Sequence, residues 1–216
     1  MQTYLFFLDR TPGRLESARI AAEQAVTLAP DLADAHVAMG QYHYVAFRDF
    51  PRALESLDRA ASLSPSDYDA TLLRAAILRR LGQPVAGVEA FTHAVSLDPL
   101  GVNAVSNLAT SLEVARAYDV ALPHFHRSLE LSPEWPQYGV SIASIPLLRD
   151  GDSNSYRVGL DSLTSWDDPQ GFIDVALWES AHVDRDVARA DAVLAEWGRD
   201  VLEYQTYYYP MGLLRG

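Results

Sequence analysis

The sequence contains no cysteine and no lysine. The lack of cysteine excludes disulfides, thiolate zinc sites and a cysteine nucleophile. The lack of lysine excludes Schiff-base chemistry and a Walker lysine. All 17 basic residues are therefore arginine, and they are outnumbered by 29 acidic residues, which gives a net charge of −12. This acidity argues against nucleic acid as a partner, because phosphates bind basic surfaces.

Long apolar runs are also missing, since no stretch approaches the roughly 18 residues that cross a bilayer. The opening MQTYLFFLDR has neither a basic region nor a small-residue cleavage site, so we expect no secretory signal. We therefore expect a cytoplasmic protein without membrane insertion. A length of 216 residues suffices for one or two compact domains.

An internal repeat dominates what is present. Prolines recur at separations of 35, 34 and 34 residues, at Pro30, Pro65, Pro99 and Pro133. Upstream of each proline, small or large apolar residues spaced by four and three lie on one face of a helix, with serine in one small position. These sets are Ala18, Ala22, Ala25; Ala53, Leu57, Ala60; Gly87, Phe91, Ala94; and Ala121, Phe125, Ser128. Another small residue follows each set, at Gly40, Ala75, Ala109 and Ala143. The pattern predicts helical hairpins of about 34 residues.

The pattern resembles the tetratricopeptide repeat (TPR), whose second helix carries alanine, a large apolar residue, alanine and then proline. RDFPRALESLDRAASLSP and RAYDVALPHFHRSLELSP are close to that second helix. The first helices depart more, because tryptophan and tyrosine are mostly missing from their usual places. The match covers residues 32–133. It implies an all-α fold, a right-handed α-solenoid of about six stacked hairpins, in one array over residues 1–216.

Beyond Pro133 the repeat is degenerate. The four-and-three spacing persists at Gly159, Leu163, Trp166 and at Ala190, Leu194, Trp197. We therefore expect degenerate repeats over 136–200, as hairpins at 136–167 and 172–200, and the start of an incomplete repeat at 204–216. Residues 3–9 resemble the end of a first helix before a second helix over 14–28. Both ends fall within a repeat, which predicts an excerpt of a larger protein.

Local signals agree with this placement. Pro51 and Pro84 suit the first turns of second helices, where the missing N–H costs nothing. Asp119 suits the N-cap of another second helix. We expect about 70–75% helix and no strand, well above the content of an ordinary domain.

Candidates for chemistry are few. The loop 150–154, followed by Asp161, resembles a calcium loop, but Ser155 replaces the sixth-position glycine and Asp161 the usual glutamate. A polar loop between two helices explains the same residues. The six histidines are not spaced as a metal site, Asp167 and Asp168 suit a helix-breaking turn, and no hydrolase motif is present. We expect no enzyme, no metal ion and no cofactor.

The resemblance implies that first helices line a concave binding groove. Carried onto this sequence, its groove positions are Asp34, Val37, Gln41, Tyr44, Asp69, Leu72, Arg79, Arg80, Asn103, Ser106, Thr110 and Glu113. Neighbouring positions are Val45, Ala76 and Val114, and a further repeat adds Gln137, Val140, Ser144, Leu147 and Leu148. The alternative is that several of these pack against a neighbouring helix or simply face solvent. Family members that hold a C-terminal carboxylate use lysines and asparagines, of which only Asn103 is matched.

The resemblance implies a protein–protein interaction module that binds a peptide or helix, as in arrays attached to bacterial multidomain regulators. Its partner is not specified by the sequence. The alternative is a structural module that self-associates into a homo-oligomer through an apolar C-terminal segment. That segment contains Tyr204, Tyr207, Tyr208, Tyr209, Met211, Leu213 and Leu214. Charge is uneven: residues 1–108 carry a net −3 and residues 109–216 a net −9, so the second half could steer a basic partner.

Overall fold

The computed structural model describes residues 11–168 and 171–197. Over these residues 79% of the chain is helical and there is no strand. The helices are α1 (Pro12–Leu28), α2 (Ala33–Phe47), α3 (Phe50–Leu63), α4 (Tyr68–Arg80), α5 (Pro84–Leu97), α6 (Val102–Val114), α7 (Tyr118–Leu131), α8 (Gln137–Asp150), α9 (Ser153–Asp161), α10 (Phe172–Val183) and α11 (Val187–Trp197). The prediction of an all-α protein is confirmed, and its helix content slightly exceeds the expected range.

The chain divides into two compact units, unit 1 (Met1–Ala117) and unit 2 (Tyr118–Gly216). In unit 1, α2 packs on α3 and α4 packs on α5, as in hairpins, while the first helices α2, α4 and α6 also contact one another in sequence. In unit 2, α8 packs on α9 and α10 on α11, and the first helices α8 and α10 are in contact. The hairpin architecture is thus confirmed within each unit. A single array over residues 1–216 stays a prediction.

The repeated prolines end second helices, as the sequence predicts. The residues before Pro30, Pro65 and Pro99 are the C-caps of α1, α3 and α5, with φ of −140°, −139° and −138°. Proline forces this extended geometry on the residue that precedes it. Pro51 and Pro84 lie in the first turns of α3 and α5, which confirms their predicted positions.

The prediction that Asp119 is the N-cap of a second helix is wrong. Helix α7 begins at Tyr118, so Asp119 lies inside the first turn and is not its N-cap. Its Oδ1 instead accepts a hydrogen bond of 2.9 Å from Nη1 of Arg149 on α8. A carboxylate in the first turn still favours the helix, because the positive end of the helix dipole lies there.

The turns inside the hairpins carry a second repeat that the sequence reasoning missed. Five residues in left-handed backbone conformation follow the first helices at separations of 34, 34, 35 and 34 residues, namely Arg48, Gly82, Arg116, Gly151 and Arg185. This conformation is strained for any residue with a Cβ and free for glycine. The same spacing continues beyond Pro133, through Gly151 and Arg185, and it supports the prediction of degenerate repeats there.

Arg116→Gly is expected to stabilise the protein by about 0.5–1 kcal/mol, because φ at Arg116 is 58° and its exposed side chain forms no ion pair within the described residues. Gly82→Ala is the matched reverse change, since φ there is 71°, and it is expected to cost about 1 kcal/mol. Urea denaturation followed by circular dichroism measures both. Loss of stability in Arg116→Gly would contradict the strain argument.

The predicted apolar faces form the core. Ala53, Leu57 and Ala60 on α3 have exposed fractions of 0%, and so does Phe91 on α5. Gly40 on α2 allows close approach, because an added Cβ would lie 2.9 Å from Cγ of Leu57. The predicted hairpin contacts therefore hold unit 1 together.

Within 136–167, α8 packs on α9, and α9 is shorter than the predicted second helix, while the assignment of this segment as a degenerate repeat stays a prediction. Helix α9 ends at Asp161, so Leu163 and Trp166 lie beyond it in turns. Both still pack against α8, since an added Cβ on Gly139 would lie 3.1 Å and 3.2 Å from their side chains. The segment 204–216 with its proposed self-association, and residues 3–9, lie outside the described residues.

Stability is expected to fall as the pH drops below about 6.5, in part through His124. Burial lowers the pKa of His124 on α7 below its ordinary value, because the half-buried ring is disfavoured in its charged form. The unfolded chain then binds more protons than the folded chain between the two pKa values, so stability rises with pH across that window. His124→Gln is expected to flatten this dependence in urea titrations between pH 5 and about 7, and His126→Gln, at an exposed position, serves as control. An unchanged pH dependence in His124→Gln would refute the assignment.

Candidate functional site

The first helices of unit 1, α2, α4 and α6, together form what we call the first-helix face. The predicted groove residues on it differ in exposure. Exposed are Asp34, Asp69, Arg80 and Asn103; half-buried are Gln41, Leu72, Arg79, Ser106, Thr110 and Glu113; buried are Val37 and Tyr44. Ten of the twelve side chains are therefore at least partly exposed to solvent.

Val37 and Tyr44 are each only 7% exposed and belong to the core cluster that contains Ala53 and Leu57. Their side chains pack in the core and do not project into solvent, so the packing alternative holds for these two. Val45, which neighbours Tyr44, is buried in the same cluster. Tyr44 still contributes to the first-helix face, because the guanidinium group of Arg80 lies over its ring.

Arg80 lies over the ring of Tyr44, with its Cζ 5.4 Å from the ring centroid, which is a cation–π geometry. Burial raises the pKa of the Tyr44 hydroxyl, and the positive charges of Arg80, Arg79 and Arg48 act in the opposite direction. Three guanidinium groups are thus near enough to influence one phenol. They come from the end of α4 and from the turn after α2.

Arg79 has a different role from Arg80. Its Nη2 donates a hydrogen bond of 2.9 Å to Oδ1 of Asn107 on α6, and its Cζ lies 5.4 Å from the ring centroid of Phe91 on α5. Asn107 is itself held by a 2.7 Å hydrogen bond from its Nδ2 to the carbonyl of Asn103. Burial lowers the pKa of Arg79, which nevertheless stays charged. Arg79 therefore ties α4 to α5 and α6.

Asn107 is a site residue that the sequence reasoning missed. The carried-over groove positions include Asn103 and Ser106 on the same helix but pass over it. A signal was available, because Asn107 lies four residues after Asn103 and therefore one turn along the same helix face.

The arginines near Tyr44 are among the few described arginines that have no carboxylate partner within the described residues. Most described arginines lie within 4.0 Å of a carboxylate, namely Arg19, Arg52, Arg59, Arg74, Arg127, Arg149, Arg157 and Arg189. Within the described residues Arg48, Arg79 and Arg80 form no ion pair. In that same part of the chain Arg80 makes one hydrogen bond, of 3.4 Å, to the carbonyl of Ala76 in its own helix. Its donors therefore remain available to a ligand.

The opposite end of the same face is acidic. Asp34 and Asp69 lie in the first turns of α2 and α4, and Asp67 caps α4 by accepting a hydrogen bond from the backbone N–H of Ala70. Although Asp69 is exposed overall, partial desolvation of its carboxylate raises its pKa, and the negative charges of Asp67 and Asp34 add to the effect. Acid at the start of a helix and arginine at its end is also the arrangement that the helix dipole favours. The face thus has an acidic end and a basic end.

The loop 150–154 forms a turn between α8 and α9. Gly151 is left-handed, and both carboxylate oxygens of Asp152 accept hydrogen bonds from Ser155, from its N–H at 2.9 Å and its hydroxyl at 2.6 Å. Asp150 pairs with Arg149 at 2.8 Å. In residues 11–168 and 171–197 no group of three or more acidic or histidine side chains is placed to hold a metal ion.

Asp168 lies just before α10, and its carboxylate accepts hydrogen bonds from the backbone N–H groups of Phe172 and Ile173 in the first turn of that helix. The described helices also include none with the length and apolarity to span a bilayer.

Comparisons with known proteins identify the fold. No family model matches the sequence, and no curated protein matches it. Among solved structures, PilF of Pseudomonas aeruginosa is 20% identical with a TM-score of 0.69, and the match covers 95% of this chain and 93% of PilF. YrrB, described as a TPR protein with an unusual peptide-binding site, is 15% identical with a TM-score of 0.61, covering 87% of this chain and 94% of YrrB. MamA is 19% identical with a TM-score of 0.59, covering 70% of this chain and 90% of MamA. The predicted resemblance is confirmed at the level of the fold.

Proposed function

We propose that this TPR-fold chain is a protein-interaction scaffold, without catalytic activity of its own, that binds an extended peptide on the first-helix face of unit 1. Stacked helical hairpins present a continuous surface of first helices, which suits an extended ligand. YrrB, which shares the fold, has a peptide-binding site. The observation that carries the proposal is Arg80, an exposed guanidinium on this face that stacks on Tyr44 and forms no ion pair within the described residues.

The same face offers the mixture of groups that peptide recognition needs. Half-buried Leu72 provides apolar surface, and Gln41, Ser106 and Thr110 provide hydrogen-bonding groups. Ser106 and Thr110 donate to carbonyls within α6, at 3.4 Å to Asn103 and 3.0 Å to Ser106, and each hydroxyl can still accept a hydrogen bond. A peptide backbone could therefore be held without any rearrangement of the core.

The test is selection of peptides from a displayed library of random decapeptides by the full chain. Selected peptides are then measured by fluorescence anisotropy against two matched variants. Asn103→Arg adds a large charged side chain to the first-helix face at an exposed position of α6, whereas Thr92→Arg makes the same charge change at an exposed position of the second helix α5. We expect at least tenfold weaker binding for Asn103→Arg and unchanged binding for Thr92→Arg. No enriched peptide, or equal losses in both variants, would refute the proposal.

We further propose that the chain is part of a larger bacterial regulatory protein and acts in the cytoplasm. Two of the solved structures with the same fold have printed bacterial sources, Pseudomonas aeruginosa and Desulfovibrio magneticus. The reading frame around the sequence is the direct test, because an adjoining catalytic or DNA-binding domain would identify the pathway. A frame that encodes this array alone would refute it.

A further inference from the structure

Arg79 and Arg80 are adjacent in sequence, but only Arg80 has guanidinium N–H groups that remain available to a ligand. The guanidinium of Arg79 is committed to Asn107 and lies against Phe91. Arg80 is exposed, and its planar group lies over Tyr44. Stacking restricts the side chain to few conformations, so a ligand that binds it loses less conformational entropy than it would with a free arginine.

Arg48 adds a second available cation. It is exposed in the left-handed turn after α2, where its backbone N–H donates to the carbonyl of Tyr44 at 3.1 Å, and its side chain forms no ion pair within the described residues. Its charge acts on the Tyr44 hydroxyl together with those of Arg79 and Arg80. In a protein of net charge −12, three arginines without a carboxylate partner around one tyrosine are a local excess of positive charge.

We propose that Arg80 binds the side-chain carboxylate of an aspartate or glutamate within the extended peptide, and that Arg79 positions Arg80 by fixing the end of α4. This inference rests on the proposed function and names the chemistry of the partner. Guanidinium groups match carboxylates in charge and in the geometry of two parallel hydrogen bonds. A C-terminal carboxylate is the poorer occupant, because the lysines that hold it in other TPR proteins do not occur in this sequence.

The acidic residues at the other end of the first-helix face disfavour a ligand with many negative charges. Asp34, Asp67 and Asp69 lie at the opposite ends of α2 and α4 and repel a second cluster of negative charge. A nucleic acid would meet this repulsion and that of the whole acidic chain. The expected ligand is therefore a peptide with one acidic residue at the arginine end and no long acidic run.

The decapeptide selection is repeated with Arg80→Gln, Arg80→Lys and Arg59→Gln, with the peptides fused at their C-termini so that no free C-terminal carboxylate is displayed. Arg59 on α3 is an exposed arginine paired with Asp31, so its variant removes one charge elsewhere in unit 1. We expect the unmodified chain and Arg59→Gln to enrich aspartate or glutamate at one position at least fivefold over the input library. Arg80→Gln should lose that enrichment, and Arg80→Lys should keep part of it, since it retains the charge without the planar fork.

Thermal unfolding separates binding from folding. Arg80→Gln loses only an exposed cation–π contact with Tyr44 and should unfold slightly earlier than the unmodified chain, whereas Arg79→Gln should unfold earlier still because it loses the bond to Asn107. Enriched peptides without an acidic preference, or a preference that survives in Arg80→Gln, would overturn this inference and leave the proposed function standing. Tight binding of a single-stranded DNA 20-mer that depends on Arg80 would overturn it in favour of a phosphate site. Failure to enrich any peptide would refute both proposals.

Discussion

Phe91→Ala is expected to lower the free energy of unfolding of unit 1 by about 3–5 kcal/mol. Phe91 on α5 has an exposed fraction of 0%, so truncation leaves a cavity in addition to the lost transfer free energy. Its ring also supports Arg79, whose Cζ lies 5.4 Å from the ring centroid. One turn earlier, Gly87 brings the helix backbones together, since an added Cβ there would lie 3.3 Å from the backbone N of Arg79. The surrounding atoms are therefore poorly placed to collapse into the space.

The distribution of tryptophan makes this prediction measurable unit by unit. All four tryptophans lie after residue 117, so tryptophan fluorescence reports unit 2, while circular dichroism reports helix in both units. In Phe91→Ala the dichroism transition should move to lower urea more than the fluorescence transition. Phe125→Ala, the equivalent change in unit 2 at a side chain 1% exposed, should shift the fluorescence transition.

Phe91→Leu is the control, with an expected cost below about 1.5 kcal/mol because it keeps most of the volume. A loss below about 1 kcal/mol in Phe91→Ala would show that the site collapses and that the ring is not essential to the hairpin.

The features that the sequence predicts well are those set by neighbours in the chain. Proline acts on the residue directly before it, and the C-caps Ala29, Ser64 and Asp98 show that effect at every repeat of unit 1. The four-and-three spacing needs only the helix period, and it correctly identifies Leu57 and Phe91 as core residues. Both rules operate within one turn of a helix.

The separation of Arg79 from Arg80 follows no such local rule. Both are arginines in the last turn of α4, and the sequence reasoning treats them as equal groove residues. Asn107, which binds Arg79, is 28 residues away and on another helix. The direction of each side chain relative to α6 decides which guanidinium is committed, and spacing along the chain does not encode that direction.

In unit 2 the residue spacing correctly identifies residues that pack inward, but the helix it predicts is too long. Gly159, Leu163 and Trp166 keep the period of the repeat, yet α9 ends at Asp161. Leu163 and Trp166 reach the core from turns, because their side chains are long enough to contact Gly139 on α8 without a helical backbone. A spacing of four and three thus indicates which residues pack inward, and it predicts the helix itself less reliably where the repeat is degenerate.

Gly159→Leu is expected to destabilise unit 2 by about 3 kcal/mol, because the close approach of α8 and α9 at Gly159 leaves no space for a side chain. An added Cβ at Gly159 would lie 2.9 Å from Cβ of Ala143 and 3.3 Å from its Cα. The second distance involves backbone, which a rotamer change cannot relieve. Tryptophan fluorescence during urea denaturation measures the loss, since all four tryptophans belong to this unit.

A smaller substitution, Gly159→Ala, tests whether Gly159 and Ala143 are as close as in the structure, because the sign of its effect on stability depends on that distance. Gly159→Ala gains about 1 kcal/mol in helix propensity, so an open contact would make this variant more stable. A closed contact makes it less stable, and adding Ala143→Gly should then recover part of the loss by removing the opposing Cβ. Recovery would be unusual, because a second glycine in a helix normally costs about 1 kcal/mol. A double variant less stable than Gly159→Ala would therefore refute the close approach, and a more stable one would show that the two small residues are needed as a pair.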